Sequence, residues 1–233
     1  MRFIQNWQYA RSGGLDTIDL VLAKPCLLNS CVFVIVTNDF TTALGATYVV
    51  SDDVGSNLYD ESVLIDGGHY GVHIFQSPGV IGGPQTISIF ASAAGDFTAR
   101  VAETSHLSAV SIPDATGTAT GTGTLVSLAG FTPPGAAVVL AGIAQDQGGQ
   151  IFTPLPEWMA VADGLGGEGA YRTTLGSGVL PVGWTLGSSA TWYLAAAAFI
   201  DESGANNDGV AWMPVGPAIG GCRRVAIPSG MGD

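Results

Sequence analysis

Apolar and polar residues alternate most clearly from Gln85 to Ser92, where Ile87, Ile89 and Ala91 share one side and Thr86, Ser88 and Phe90 the other. A period of two puts successive side chains on opposite faces of an extended chain, so this segment predicts a strand with unequal faces. The next stretch repeats the pattern, with Phe97, Ala99 and Val101 on one side and Thr98, Arg100 and Ala102 on the other. Gly95 and Asp96 lie between the two runs, and the combination predicts a β-hairpin.

Cys31 to Val36 is an unbroken run of β-branched and aromatic residues. It predicts a strand buried on both faces in the middle of a sandwich. Ala46–Val50 and His69–Gln76 predict further strands, separated by the polar loop Ser51–Asn57. In the second half, Ala136–Ala144 and Ala190–Ile200 are the best strand candidates. Ala195–Ala198 would also suit a helix, but Gly187, Ser188 and Ser189 before the run and its β-branched and aromatic ends favour a strand. Thr116–Thr124 and Gly164–Gly169 are rich in Gly, Thr and Ala and read as connecting loops or a crossing between sheets.

Composition agrees with many short strands joined by turns. The 233 residues include 34 glycines and 12 prolines spread along the chain, and only 11% are charged against 47% hydrophobic, which separates the chain from disordered polymers. The expected fold is an all-β antiparallel β-sandwich, jelly-roll-like, with extended terminal segments. Residues 1–28 form an N-terminal segment belonging to the sandwich or to an interface, 29–200 the sandwich, and 201–233 a C-terminal extended arm. The Gly- and Pro-rich end from Pro214 to Asp233 carries Arg223 and Arg224, and in an assembling protein such a tail docks on a neighbouring subunit.

The charge balance narrows the partners. Nineteen acids against seven bases give a formal net charge of -12, and Lys24 is the only lysine. A field of that sign repels phosphate backbones and anionic lipid, so the expected partners are proteins, with glycans or cations next. The longest apolar run, Trp192–Ile200, falls far short of the ~20 residues of a membrane-spanning helix. Gln5, Asn6 and Gln8 interrupt the apolar core that a secretory signal needs, so cytoplasmic synthesis followed by assembly and release is the expected route.

Candidate chemistry is sparse. Cys26, Cys31 and Cys222 have no metal-type spacing. Buried free thiols are the expectation, with a Cys26–Cys31 bridge as the alternative. His69 and His73, four apart on a strand, would sit about 13 Å from each other, too far to share a metal. His106 follows Glu103 and Ser105, but no nucleophile elbow accompanies them. The loop from Ser51 to Glu61, with Asp52, Asp53, Asn57 and Asp60, is the densest set of oxygen ligands. It could take calcium, although Asp, Asn and Gly are also ordinary turn residues and the spacing is not that of an EF-hand. Glu157, Asp163, Asp201, Glu202 and Asp208 fall in expected loops as solvated acids. Trp7, Trp158, Trp184, Trp192 and Trp212 suit a core or subunit interface better than a sugar-stacking platform. No catalytic, cofactor or metal residue is assigned.

Several segments resemble a β-sandwich domain found in structural proteins of tailed bacteriophages. Cys31–Val36 is followed by Tyr48-Val49-Val50-Ser51-Asp52-Asp53-Val54-Gly55-Ser56-Asn57-Leu58-Tyr59, similar to a strand that ends in Asp, Gly and Asn before an aromatic. Gly82-Gly83-Pro84-Gln85-Thr86-Ile87-Ser88-Ile89 is similar to that family's Gly-Gly turn opening a hairpin. Ala102-Glu103-Thr104-Ser105-His106-Leu107 resembles its return strand, departing from it at Thr104 and His106, and Thr191–Phe199 resembles its late strand with a Trp and small residues. The resemblance spans residues 29 to 200 and carries no catalytic residues. It implies a non-enzymatic virion protein, most naturally a capsid decoration (cement) protein on the outer surface and next a tail protein. The implied partners are a major capsid or tail protein and further copies of the chain. A carbohydrate-binding, lectin-like module is the alternative reading, and a glycan-cleaving enzyme of similar architecture the third.

Overall fold

A computed structural model describes residues 2–38, 45–105, 113–148, 150–161, 166–200, 212–214 and 222–224. These residues contain strands and no helix, and all strand pairs are antiparallel. The first half supplies β1 (Arg2–Arg11), β2 (Thr17–Val21), β3 (Cys31–Asn38), β4 (Tyr48–Asp52), β5 (Asp60–Asp66), β6 (Gly71–Ser77), β7 (Thr86–Ala91) and β8 (Phe97–Ser105). They form a central sheet ordered β1-β8-β3-β6-β5 and an outer sheet ordered β2-β7-β4. The second half supplies β9 (Ala115–Leu128), β10 (Ala137–Gln145), β11 (Phe152–Pro154), β12 (Met159–Val161), β13 (Gly167–Thr174) and β14 (Val182–Ile200). These make a third sheet ordered β11-β14-β10-β13-β12, with β9 also paired to β14. Two short strands, β15 (Trp212–Pro214) and β16 (Cys222–Arg224), pair with each other.

The two halves repeat one topology. In the third sheet, the first arm of β9 (Ala115–Gly123) pairs with Ala190–Ala198 of β14, and its second arm (Leu125–Leu128) pairs with Val182–Thr185. Splitting β9 and β14 at that register shift gives the orders β9(first)-β14(second)-β10-β13-β12 and β9(second)-β14(first)-β11. Strand for strand, these match the central and outer sheets of the first half. Eight strands wound in this order, with chain neighbours alternating between facing sheets except at β5–β6 and its counterpart β12–β13, make a jelly-roll-like sandwich. The fold is an all-β antiparallel sandwich built twice in tandem.

Three apolar layers hold it together. Val32, Val34, Val36, Ala99 and Val101 of the central sheet pack on Ile18, Leu20, Ile87, Ile89 and Val50 of the outer sheet. The opposite face of the central sheet, with Phe33, Ile35, Val72 and Ile74, packs on Val138, Leu140, Ala195, Ala197 and Phe199 of the third sheet. The far face of the third sheet, with Val139, Ile143 and Leu194, is covered by its own bent arms through Val126, Leu128, Val182 and Trp184. Every residue of β3 and of β10 is therefore buried. Hydrophobic burial of this kind contributes roughly 25 cal/mol per Å² of apolar surface removed from water.

Three expectations from the sequence change. β7 and β8 have the predicted facing, but they do not form a hairpin: β7 pairs with β2 and β4, and β8 with β1 and β3. The chain between them turns a corner from one sheet to the other, so Ile87 and Ile89 meet Ala99 and Val101 across the core instead of lying beside them. Thr116–Thr124 is no connector but the first arm of β9. Threonine is β-branched and suits a strand. The intervening Gly117, Ala119 and Gly121 leave room for Leu128, Phe131 and Trp192, since an added Cβ at Gly121 would lie 2.5 Å from Trp192 Cζ2. Gly167–Gly169 likewise opens β13, whereas 162–165 lie outside the described residues. Most of the expected C-terminal arm lies outside them too.

Candidate interaction surface

One end of the first roll is formed by the β2–β3, β4–β5 and β6–β7 loops. The β2–β3 loop is tied to the β6–β7 loop by main-chain bonds from Cys26 N to Pro84 O (2.8 Å), Asn29 N to Val80 O (2.9 Å) and Val80 N to Ser30 O (2.9 Å). Asn57 joins the β4–β5 loop to it: Ile81 N donates to Asn57 Oδ1 (2.8 Å), and Asn57 Nδ2 donates to Ile81 O (3.1 Å). Gly82 and Gly83 have φ of 77° and 67°, and an added Cβ at Gly82 would meet Val54 at 2.6 Å, so the turn needs glycine there.

Beneath this end, carboxylates act as internal fasteners. Asp52 accepts from Val54 N (3.0 Å), Gly55 N (2.9 Å), Asn57 Nδ2 (2.7 Å) and Tyr59 Oη (2.9 Å). Four donors occupy its two oxygens, which makes the Ser51–Glu61 loop a side-chain-braced turn. Asp53 accepts from Gln85 N (3.0 Å), and the buried Glu103 accepts from Leu27 N (2.6 Å). Among the described residues, no group of three or more His, Cys, Asp or Glu side chains is arranged to hold a metal ion. Burial, helped by the charges of Glu103, Asp52 and Asp53, pushes the Cys26 thiol up to about 12. Burial and the neighbouring Asp52 push the Tyr59 hydroxyl up in the same way.

On this braced frame Leu27, Leu28, Val54, Leu58 and Ile81 stand exposed, Leu58 at 77%. A shallow cavity of about 240 Å³ lies between Leu58, Pro78 and Ile81, with Asp60 on its wall. Asp60 is exposed there, and Asp53 is exposed at the start of the β4–β5 loop. Five large apolar side chains exposed on adjoining, hydrogen-bonded loops give this end an apolar character beside exposed carboxylates, a pattern that suits a protein contact. Because the loops are already ordered, docking loses little conformational entropy.

The residues considered from sequence are scattered. His69 lies in the β5–β6 turn and is exposed; the strand expected from it starts at Gly71. His73 is buried on β6, with Nδ1 2.7 Å from Glu61 Oε1 and its ring edge-on to Tyr48. Among the described residues the His73–Glu61 pair does not extend into a triad: Nε2 has no hydrogen-bond partner there and lies beside Gly71 with Asn38 Nδ2, while the Tyr48 hydroxyl donates to Asn38 Oδ1 at 2.7 Å. His106, Asp163, Asp201, Glu202 and Asp208 lie outside the described residues. Glu157 is exposed, adopts φ of 74° and pairs with Arg172 at the edge of an open cavity of about 560 Å³ that also involves Met159, Leu175 and Val179. Trp158, Trp184 and Trp192 are core residues of the second roll, and Trp7 packs on Tyr171 at 6.2 Å between the rolls. Cys26 and Cys31 are buried free thiols.

Sequence reasoning missed the apolar end. Its trace is single large apolar residues inside turn-forming stretches, Leu58 between Asn57 and Tyr59 and Ile81 ahead of Gly82-Gly83. No protein-family model, curated protein or solved structure matches the chain.

Proposed function

We propose that this chain is a structural virion protein of a tailed bacteriophage, a capsid decoration protein on the outer surface in preference to a tail-associated one. The observation that carries the proposal is the apolar end of the first roll. Leu27, Leu28, Val54, Leu58 and Ile81 are held out by a braced loop frame that also exposes Asp53 and Asp60. That surface fits a protein partner with an apolar centre and a basic rim. The tandem rolls around a doubly covered sheet supply the rigidity a building block needs, and the motif resemblance supplies the virion setting.

Mass spectrometry of separated heads and tails from purified particles tests it. High copy number in heads is the expected result; finding the chain in tails moves it to the tail machinery, and absence from both overturns the virion reading. Leu58→Asp with Ile81→Asp should abolish rebinding of purified protein to stripped heads while leaving thermal stability nearly unchanged, because exposed substitutions usually shift stability by no more than about 0.5 kcal/mol.

A further inference from the structure

An unpaired strand edge invites another strand, and proteins guard such edges with charge, proline or brevity. Among the described strands the sheet edges are guarded with one exception. β1 carries Arg2 and Arg11, β5 carries Asp60, Glu61 and Asp66, β2 carries Asp19, β4 carries Asp52, β11 contains Pro154, and β12 is only 3 residues long. β9 is 14 residues long, holds no charge and no proline, and pairs among the described residues only with β14.

Its sequence is also symmetric. Thr116-Gly117-Thr118-Ala119-Thr120-Gly121-Thr122 reads the same in both directions about Ala119. The four threonines are exposed, while Gly117, Ala119 and Gly121 lean towards Leu128, Phe131 and Trp192. Laid antiparallel against itself with Ala119 opposite Ala119, this arm sets Thr118 against Thr120, Thr116 against Thr122 and Gly117 against Gly121. Threonine then meets threonine on one face and small residues meet small residues on the other, and cross-strand Thr–Thr pairs are favourable. A two-fold interface needs one self-complementary patch, and a palindromic strand is one.

We infer that a second copy of this chain pairs with the β9 edge, joining the third sheets of two protomers into one continuous sheet about a two-fold axis at Ala119. This inference is independent of the virion reading. The arm from Thr116 to Thr122 spans only ~23 Å at ~3.3 Å per residue, so the dimer is weak and reversible in solution. Each copy carries a net charge of -12, so association strengthens as salt rises from about 0.01 M to about 0.15 M and the screening length falls from ~30 Å to ~8 Å.

Disulfide trapping in a Cys222→Ser background tests the register. Ala119→Cys should form a covalent dimer on mild oxidation, because the two copies of position 119 face each other. Thr116→Cys should not, because each copy of position 116 faces position 122, ~20 Å from the other. Sedimentation equilibrium should show a monomer–dimer equilibrium in the unmodified protein. Thr118→Lys with Thr120→Lys should abolish it, and Leu175→Lys with Val179→Lys, which adds the same charge at exposed sites elsewhere, should preserve it. A strictly monomeric protein, a dimer that survives the Thr118/Thr120 change, loss of the dimer in both lysine variants, or equal crosslinking at 116 and 119 overturns the inference.

Discussion

The guanidinium of Arg100, on β8 of the first roll, donates from Nη2 to the carbonyl oxygen of Gly167, at the start of β13 in the second roll, at 2.6 Å. Its Nη1 donates to Thr37 Oγ1 at 3.0 Å, and the side chain is completely buried. A cation therefore sits in the mainly apolar layer between the rolls, positioned by hydrogen bonds to both of them. Arg100→Met should cost on the order of 3 kcal/mol, since hydrogen bonds to charged groups are worth about 1.5–3 kcal/mol and the orphaned carbonyl stays buried. Urea unfolding with the unchanged protein as reference measures it, and a loss under about 0.5 kcal/mol would show that the tie does not matter.

Glycines that admit a neighbour should separate sharply from those that face solvent. A Cβ at Gly183 would fall inside contact distance of the Val126 carbonyl, which is backbone and cannot rotate away, and one at Gly142 would meet Val72 Cγ1 at 2.6 Å in the layer between the rolls. Gly183→Ala and Gly142→Ala should each destabilise by about 1–3 kcal/mol. Gly176, with open space around it, should accept Ala without loss. Thermal denaturation of the three variants side by side is the check.

Much of this fold could be read along the chain, because burial leaves a local trace. The unbroken apolar run of β3 is buried on both faces as expected, and the alternation in β7 places Ile87 and Ile89 in the core and Phe90 outside. Pairing leaves no such trace. Ser92–Asp96 looks like a hairpin turn, yet it is a corner between sheets, and only the strands that receive β7 and β8, far away in sequence, decide that. The Gly/Thr tract was opaque for the same reason: its glycines accommodate Trp192, on a strand that pairs with it from the other end of the domain. The apolar end escaped notice because Leu27, Leu58 and Ile81 are separate in sequence and gather only when three loops close together.

The braced turn at Asp52 should be essential to the apolar end. Asp52→Ala removes the acceptor for four donors, including the Tyr59 hydroxyl, and should cost about 2–3 kcal/mol. Hydrogen exchange should rise across residues 53–59 and stay unchanged in β10. Protection that remains intact in the loop would mean that the Asn57–Ile81 bonds hold it without the carboxylate.

Alkaline pH should weaken the first roll. The Cys26 thiol titrates near 9.0 when solvated and near 12 when folded, so the unfolded chain loses its proton first. This contribution to stability is fully present below pH 9 and is lost as pH rises towards 12. The raised Cys31 and Tyr59 groups act in the same direction. Stability measured by urea at intervals from pH 8 upward should fall through that window, and Cys26→Ala should flatten part of the fall. An identical pH profile in the variant would remove Cys26 from the account.

The doubly covered central sheet also has a consequence in time. Phe33, Ile35, Val72 and Ile74 belong to the first roll, but the residues that cover them, Val138, Leu140, Ala195, Ala197 and Phe199, are translated later. At about 5–20 residues per second, on the order of 5–20 s separates the end of β8 from the emergence of Phe199. A first roll that folds as it emerges keeps this apolar sheet face uncovered by its own chain throughout that interval. Premature termination between the two rolls would leave a half-protein with no means of covering that face except against another of its kind.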